Sequence, residues 1–175
     1  MNVGGHRLTN EELRSCFLEM GFREVASFRA SGNIVFAGEG PETGGQRPDA
    51  VTARIEEGLE ASLGYAVPTF IRTEKEVRAI AAKQAFAAEH VRSSVGKLHV
   101  ALLSAAPSPS VRDEVLSLAS DSDRLAFGRR ELYWLPSGRM IDSGLDLKAV
   151  ERLIGMMTLR TKNTIELIAS RHFAE

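Results

Sequence analysis

The sequence predicts an α+β fold made of two similar halves, and the order of the predicted elements is the main reason. Residues 97–161 read strand, helix, strand, strand, helix, strand. Residues 9–72 read helix, strand, strand, helix, strand, which is the same order without its opening strand. Split β-α-β units of this kind place their helices on the outer face of an antiparallel sheet. We therefore expect two ferredoxin-like halves, residues 1–84 and 85–175 of a single compact unit, with the first strand of the N-terminal half missing.

The composition is that of an ordinary globular protein. The 175 residues are 43% apolar and 26% charged, with a formal net charge of −1. That charge gives no general attraction to nucleic acid or anionic lipid, although it does not exclude a local basic patch. Cys16 is the single cysteine, so no internal disulfide can form, which fits a reducing cytoplasm. Because neither a leader peptide nor a membrane-spanning apolar run is found, we expect a cytoplasmic protein without membrane contact.

A capped helix opens the N-terminal half. Thr9 and Glu12 have the spacing of a capping box, in which each side chain bonds a backbone N–H that the helix start leaves free. Gly21 predicts the end of the helix, because glycine accepts the left-handed conformation after a last turn. Between them, apolar residues recur on one helical face: Leu13, Cys16, Phe17 and Met20.

Two strands and a second helix are predicted next. The strands Glu24–Phe28 and Asn33–Phe36 flank the turn Ser31-Gly32. Residues 38–49 hold four glycines and two prolines, which predicts a surface loop. The helix after the loop ends at Gly64, and its apolar face is regularly spaced: Val51, Ile55, Leu59 and Leu63. Val67–Ile71 is predicted as a short strand.

A further capped helix leads into the segment that links the halves. Thr73 and Glu76 repeat the capping-box spacing, and the helix that follows carries Val77, Ile80 and Ala81. Residues 85–96 predict either a second short helix or a covering loop.

The C-terminal half contains the complete order of elements. Lys97–Leu103 is predicted as a strand, and Pro107 and Pro109 end it. Ser110, with Asp113, is expected to cap the next helix, and Ser143, with Asp146, the one that Gly155 ends. The remaining predicted elements are a hairpin of Arg124–Phe127 and Glu131–Leu135, a last strand Met156–Arg160 and a closing helix Thr164–His172.

These segments resemble one family. The stretch Asn2–Arg7, the capped helix that ends before Phe22, and the run Ser31–Phe36 resemble the domain of unknown function 1697 family. Residues Arg160–Thr164 resemble its closing motif, Arg-Asn-Trp-Asn-Thr. The resemblance covers essentially the whole chain and implies a bacterial protein of two intertwined ferredoxin-like halves. It implies no reaction, because the family has none assigned.

The chain departs from the family pattern in three places. An apolar strand, about Tyr-Val-Ala-Leu-Leu-Arg-Gly-Ile, usually precedes the Asn-Val-Gly-Gly stretch, and here the sequence starts at Met1. The usual Tyr-x-Gln before Ser-Gly-Asn is Phe28-Arg29-Ala30, and the Trp of the closing motif is Lys162, preceded by Thr161. The second and third departures remove groups that a ligand site of the family would use. For the first, either the start codon is assigned too late or the protein does without that strand. A missing central strand would also leave backbone groups unpaired.

The first candidate site residues lie near the N-terminus. Asn2, Gly4, Gly5, His6 and Arg7 precede the first helix, where flexible glycines and a helix N-terminus can direct N–H groups toward an anion. The alternative is a tight turn between a strand and a helix. No Gly-Lys-Ser or Gly-Lys-Thr follows, so this is not a nucleotide-binding P-loop.

Two more segments carry candidate residues. Ser31 and Asn33 can hold a polar ligand at a strand edge or simply form a hairpin turn, and the turn is the favoured interpretation. Arg160 can bind a carboxylate or phosphate or pair with an acidic neighbour. Asn163 or Thr164 is expected to cap the closing helix, in preference to binding a ligand.

No pattern predicts a metal, a cofactor or a catalytic nucleophile. His6, His90, His99 and His172 are far apart in the chain and lack metal-ligand spacing. Cys16 lies on an apolar helical stripe, which predicts a buried and inert thiol. There is no Gly-x-Ser-x-Gly elbow and no dinucleotide-binding glycine motif.

Three functions remain open at this point. The favoured one is a non-enzymatic binding or interaction protein, in which the segments around His6, Asn33 and Arg160 converge on a small anionic ligand or an acidic group of a partner. The second is an enzyme of unknown reaction with His6 as acid–base group and Arg160 as anion anchor. The least favoured is an RNA-binding module that uses Phe127, Tyr133 and Trp134. An unpaired sheet edge also predicts a homodimer.

Overall fold

The structure is a computed structural model that describes residues 2–3, 6–29, 32–37 and 48–173. The chain divides into two compact units, Met1–Ile71 and Arg72–Glu175. The expected α+β architecture with antiparallel sheets is confirmed. The division after residue 84, within a single compact unit, stays a prediction, as does the ferredoxin-like plan of both halves.

Among its described residues, the N-terminal unit combines two helices with two short antiparallel sheets. Strands β1 (Asn2–Val3) and β2 (His6–Arg7) pair with each other, as do β3 (Arg23–Phe28) and β4 (Asn33–Ala37). The helices are α1 (Asn10–Glu19) and α2 (Pro48–Leu63). The capping box of Thr9 and Glu12 is confirmed, with both reciprocal bonds present. The predicted loop 38–49 falls mostly outside the described residues, and its last two positions begin α2.

The core of this unit lies between the helices and the β3–β4 hairpin. Phe17 and Phe22 each lie within 5.6 Å of a neighbouring ring centroid, and Phe36 of β4 contacts both rings. Ile55 and Leu59 of α2 are fully buried in the same cluster. The apolar stripes predicted for both helices therefore face one shared core.

The predicted strand Val67–Ile71 is wrong as a sheet element, because these residues pair with no strand of the described chain. Pro68 lacks an N–H to donate. The N–H of Thr69 donates to the side chain of Glu56 on α2 over 2.7 Å, and not to a neighbouring strand. A strand needs a partner across the ladder, and a local residue pattern does not supply one.

The C-terminal unit follows the predicted order of elements. It begins with α3 (Glu74–Ala82) and α4 (Ala88–Ser93), so residues 85–96 do contain a short helix. The strands are β5 (His99–Leu103), β6 (Asp123–Phe127), β7 (Glu131–Pro136) and β8 (Met157–Thr161). The helices are α5 (Pro109–Leu116), α6 (Leu147–Ile154) and α7 (Lys162–His172), with a short 3₁₀ turn at Met140–Asp142.

The four strands form one antiparallel sheet in the order β6-β7-β5-β8. Side chains alternate between its faces. One face carries Ala101, Leu103 and Trp134, which pack with Val115 of α5 and Val150 of α6. The opposite face therefore carries the alternate residues, including Val100, Tyr133 and Arg160.

Three of the predicted helix caps are corrected. Ser108, and not Ser110, caps α5, because Pro109 lacks an N–H and suits the first helical position. Asp146 caps α6, while the Ser143 hydroxyl bonds Asp123 and the N–H of Leu145. For α7, neither Asn163 nor Thr164 is the cap. Thr161 caps this helix by accepting from the N–H of Thr164, because the chain turns into the helix directly at the end of β8.

A buried ion pair closes the β6–β7 hairpin, and no local residue pattern predicts it. Arg72 Nε donates to Glu131 Oε1 over 3.0 Å, and both side chains are at most 8% exposed. Arg72 also donates to the carbonyl oxygens of Leu103 and Arg130, which lie at the same end of the sheet. Burial lowers the pKa of Arg72, and the neighbouring Arg130 charge acts in the same direction.

Candidate functional site

Arg160 lies on β8, on the sheet face opposite α5 and α6. Its Nη1 donates to the Thr158 hydroxyl and to the carbonyl oxygen of Leu159, each over 2.8 Å. These bonds fix the orientation of the guanidinium. Burial lowers the pKa of Arg160 because it removes water from the charged form. An anion near this group would offset that loss of hydration.

Tyr133 lies on the same face and carries an unusual hydroxyl group. The residue is fully buried, and its oxygen has no hydrogen-bond partner within the described residues. Burial, with a smaller effect from the Glu131 charge, raises the pKa of Tyr133, so the hydroxyl keeps its proton. Most buried polar atoms in native proteins are satisfied, and an exception calls for an explanation such as a bound group.

The sheet register brings these two residues to either side of Val100. Val100 of β5 pairs with Tyr133 of β7 on one side and with Arg160 of β8 on the other. Two strand spacings separate the Cα atoms of Tyr133 and Arg160 by about 10 Å. Long side chains at that separation can reach one small ligand between them. The pair offers a guanidinium and a protonated phenol, both of which donate hydrogen bonds to an anion.

His99 is a second buried residue with an unsatisfied atom, on the opposite sheet face. Its Nδ1 has no hydrogen-bond partner in the part of the chain that the structure describes, and its ring stacks on Trp134 with centroids 5.1 Å apart. Burial lowers the pKa of His99, so the neutral imidazole is favoured. From the sequence, His99 was weighed only as a metal ligand, because no local residue pattern indicates that it is buried.

The predicted N-terminal residues have a different setting. His6 is exposed on β2 and stacks on Tyr65, with ring centroids 4.2 Å apart and planes 10° apart. Arg7 is exposed and Asn2 belongs to β1, while Gly4 and Gly5 lie outside the described residues. Within the described chain, His6 makes a ring contact but no hydrogen bond to a carboxylate. Such a hydrogen bond would favour an acid–base role.

Asn33 takes part in hairpin chemistry, as the favoured interpretation expected. Its Nδ2 donates to the carbonyl oxygen of Phe28 over 3.1 Å. Gly32 has a φ of +69° and Arg29 a φ of +57°, both in the left-handed region that tight turns require. Asn10 of α1 donates to the Arg29 carbonyl oxygen and anchors the turn to the helix. Ser31 lies outside the described residues.

The residues after Arg160 connect strand and helix. Thr164 is buried, and its hydroxyl bonds that of Thr161 over 2.9 Å, whereas Asn163 is exposed. Lys162, in place of the family tryptophan, donates to the Ala81 carbonyl oxygen at the end of α3 and to Glu166. Lys162 thereby ties α7 to α3.

The predicted site residues thus fall in two units, each described by itself. His6 and Asn33 belong to the N-terminal unit, and Arg160 belongs to the C-terminal unit. Their convergence on one surface stays a prediction. Sequence reasoning missed that Tyr133 and Arg160 share a sheet face, because only the pairing of both strands with β5 relates the two residues.

Other surfaces of the described chain fit an anion site less well. An open groove beside α1 is lined by Glu11, Glu12 and Glu19, whose charges repel anions. Cys16 is buried there as predicted, and burial raises the pKa of its thiol. The described residues contain no group of three potential metal ligands. Tyr133 and Trp134 are both buried, so neither ring is available to stack on an RNA base.

None of the helices in the described part of the chain combines the length and apolar character that a membrane crossing requires.

Comparisons with known proteins indicate what the chain resembles. A conserved bacterial protein from Streptococcus pneumoniae has a similar structure, with a TM-score of 0.67 and 18% sequence identity. The similarity covers 97% of this chain and 92% of that one, and it supports the fold alone. No curated protein matches the sequence.

A family model identifies the relatives of the chain by sequence. It matches residues 1–133 and therefore includes the N-terminal stretch and the Ser-Gly-Asn run that carried the resemblance. The motif at Arg160–Thr164 lies beyond the matched residues. The chain therefore belongs to the family described as protein of unknown function, DUF1697.

Proposed function

We propose that this protein binds a small anionic ligand, or an acidic group of a partner, without catalysing a reaction. One observation carries the proposal: the buried hydroxyl of Tyr133 has no hydrogen-bond partner among the described residues and lies on the same sheet face as Arg160. A carboxylate or phosphate oxygen would accept from Tyr133 and from the guanidinium together. We also propose a cytoplasmic location, which the single, buried Cys16 favours.

The chemistry of the two residues favours binding over catalysis. A guanidinium stays charged, and burial raises the pKa of Tyr133, so neither group exchanges protons readily near neutral pH. A general acid–base catalyst works best with a pKa near the operating pH. The His6 alternative has its ring stacked on Tyr65, which supports a structural role.

A thermal-shift screen of the full chain tests the proposal, with inorganic phosphate, nucleotides, sugar phosphates and short dicarboxylates as probes. A ligand that binds only the native state raises the melting temperature. Isothermal titration then measures its affinity for wild type and variants. We expect Arg160→Gln to weaken binding at least about tenfold, because a charge-assisted hydrogen bond contributes about 1.5–3 kcal/mol. Arg160→Lys should restore part of it, since lysine keeps the charge but not the planar donor pair.

The matched control is Arg124→Gln on β6, which removes an equal charge from the same sheet face. It should leave the affinity within about twofold of wild type, because it is not placed beside Val100. Equal losses in Arg124→Gln and Arg160→Gln would indicate general electrostatics and contradict the proposed site. A panel in which no anion shifts the melting temperature would also contradict it.

A further inference from the structure

Thr158 extends the group of donors around Arg160. It lies two residues before Arg160 on β8, so both side chains point to the same sheet face. Arg160 Nη1 donates to the Thr158 hydroxyl over 2.8 Å. A hydroxyl that accepts a hydrogen bond keeps its own proton for donation. Thr158 therefore orients the guanidinium and also adds a second hydroxyl to the sheet face that carries Tyr133.

The surface between these donors is apolar. Leu102, two residues beyond Val100 on β5, pairs with Glu131 on one side and with Thr158 on the other. Val100 is fully buried and Leu102 is 8% exposed. A ligand that reaches the donors therefore lies against hydrocarbon and is shielded from water. Such a surface favours a small ligand with an apolar part.

A carboxylate on β7 limits the charge that a ligand can carry. Glu131 lies two residues from Tyr133 on the same sheet face, so their Cα atoms are about 7 Å apart. Burial raises the pKa of Tyr133, and the Glu131 charge adds to this effect although Glu131 is paired with Arg72. A second negative charge on a ligand would meet the same repulsion. A phosphate monoester carries about 1.5–2 negative charges at pH 7, whereas a monocarboxylate carries one.

Building on the proposed function and dependent on it, we propose that the anionic ligand is a short-chain monocarboxylate, which Thr158 binds together with Arg160 and Tyr133. The two oxygens of one carboxylate offer enough acceptor sites for all three donors. Its hydrocarbon chain lies on Val100 and Leu102. Thr158 acts in two ways, because it donates to the carboxylate and its bond to Arg160 positions the guanidinium.

The probe is butyrate, which is compared at equal ionic strength with succinate and with inorganic phosphate. Succinate has the same number of carbons and a second carboxylate. Isothermal titration of the full chain measures each affinity. We expect butyrate to bind at least about tenfold more tightly than either of the others, because their additional charge lies near Glu131. Succinate should still bind through one carboxylate, at higher concentration.

Two substitutions of Thr158 separate its hydroxyl from its shape. Thr158→Val keeps the branched shape and removes the hydroxyl, so it should weaken butyrate binding at least about fivefold. Thr158→Ser keeps the hydroxyl and removes the methyl group, so its affinity should stay within about twofold of wild type. A role in packing alone would give the opposite order, because valine fills the space of threonine better than serine does.

Two results would overturn the monocarboxylate and leave the proposed function intact. The first is phosphate or succinate binding as tightly as butyrate or more tightly, with the affinity lost in Arg160→Gln. The second is butyrate binding to Thr158→Val with the wild-type affinity while Arg160→Gln weakens it. If Arg160→Gln leaves every measured affinity unchanged, the proposed function is contradicted together with the monocarboxylate.

Discussion

At the residue scale, Tyr133 and Arg160 show how two ordinary side chains become informative through their surroundings. The Tyr133 hydroxyl is buried without a partner in the described part of the chain, which is unfavourable by about 1–3 kcal/mol, and burial also removes hydration from Arg160 on the same sheet face. Val100, which lies between them on the same face, is apolar and carries no such penalty. Groups that a fold keeps at a cost to its stability are often those used for binding.

Replacement of Tyr133 by phenylalanine tests the state of this hydroxyl. Tyr133→Phe should raise the free energy of unfolding of the ligand-free protein by about 1 kcal/mol, since it removes an unsatisfied polar atom and leaves the ring in place. Urea denaturation at neutral pH measures the change. A loss of more than about 1 kcal/mol would instead indicate that the hydroxyl makes a favourable bond in solution.

Tyr133→Phe should also change how the free energy of unfolding depends on pH in the alkaline range. Burial raises the pKa of Tyr133 in the folded state, so above pH about 10 the unfolded chain loses this proton while the folded chain keeps it. The contribution of the protonated Tyr133 hydroxyl to the free energy of unfolding is fully present below that pH. It is lost as pH rises, by up to about 1.4 kcal/mol per pH unit. Tyr133→Phe should therefore show a shallower loss of stability between pH 10 and 12 than wild type. Tyr65→Phe, which removes the other tyrosine, is the control, and an equal change of slope in both variants would contradict the assignment to Tyr133.

At the element scale, helix ends were predicted well where the cap is local. The capping boxes at Thr9–Glu12 and Thr73–Glu76 are both present, because their bonds join residues three apart. Errors arose where several polar residues compete for one helix end, as with Ser108 and Ser110. The strand Val67–Ile71 failed for a different reason, since its pairing depends on a partner that local sequence does not specify.

The contact between α3 and α7 gives a prediction at this scale. Lys162 is 13% exposed and donates to the Ala81 carbonyl oxygen over 2.7 Å, near the negative end of the α3 dipole. Lys162→Met should lower the free energy of unfolding by about 1–2 kcal/mol, because the carbonyl and Glu166 both lose a charged donor. Lys75→Met, on the exposed surface of α3, should change it by less than about 0.5 kcal/mol. Equal effects of the two substitutions would mean that the Lys162 bonds do not contribute.

At the scale of the whole molecule, each unit has its own apolar core. Leu59 is fully buried in the N-terminal core, and Leu103 and the single tryptophan, Trp134, belong to the C-terminal core. Tryptophan fluorescence therefore reports directly on the C-terminal unit. The two cores are built by different residues. The predicted apolar stripes therefore fall into two sets, one for the core of each unit.

A cavity substitution tests this assignment. Leu103→Ala should lower the free energy of unfolding, followed by Trp134 fluorescence, by about 2–5 kcal/mol, because Leu103 is fully buried. Val95 is 86% exposed, so Val95→Ala should change the same transition by less than about 0.5 kcal/mol. A small effect of Leu103→Ala would contradict the described packing of the C-terminal core.

The sequence by itself determined the helices, the hairpins and the order of the C-terminal elements. Each of these depends on residues close in the chain, such as Thr9 with Glu12, or on the period of an apolar stripe. The tertiary structure alone decided which strands pair, that Val67–Ile71 pairs with no strand of the described chain, and that Tyr133 and Arg160 flank Val100. Those relations join residues far apart in the chain, and strand pairing and burial arise only when the whole unit packs.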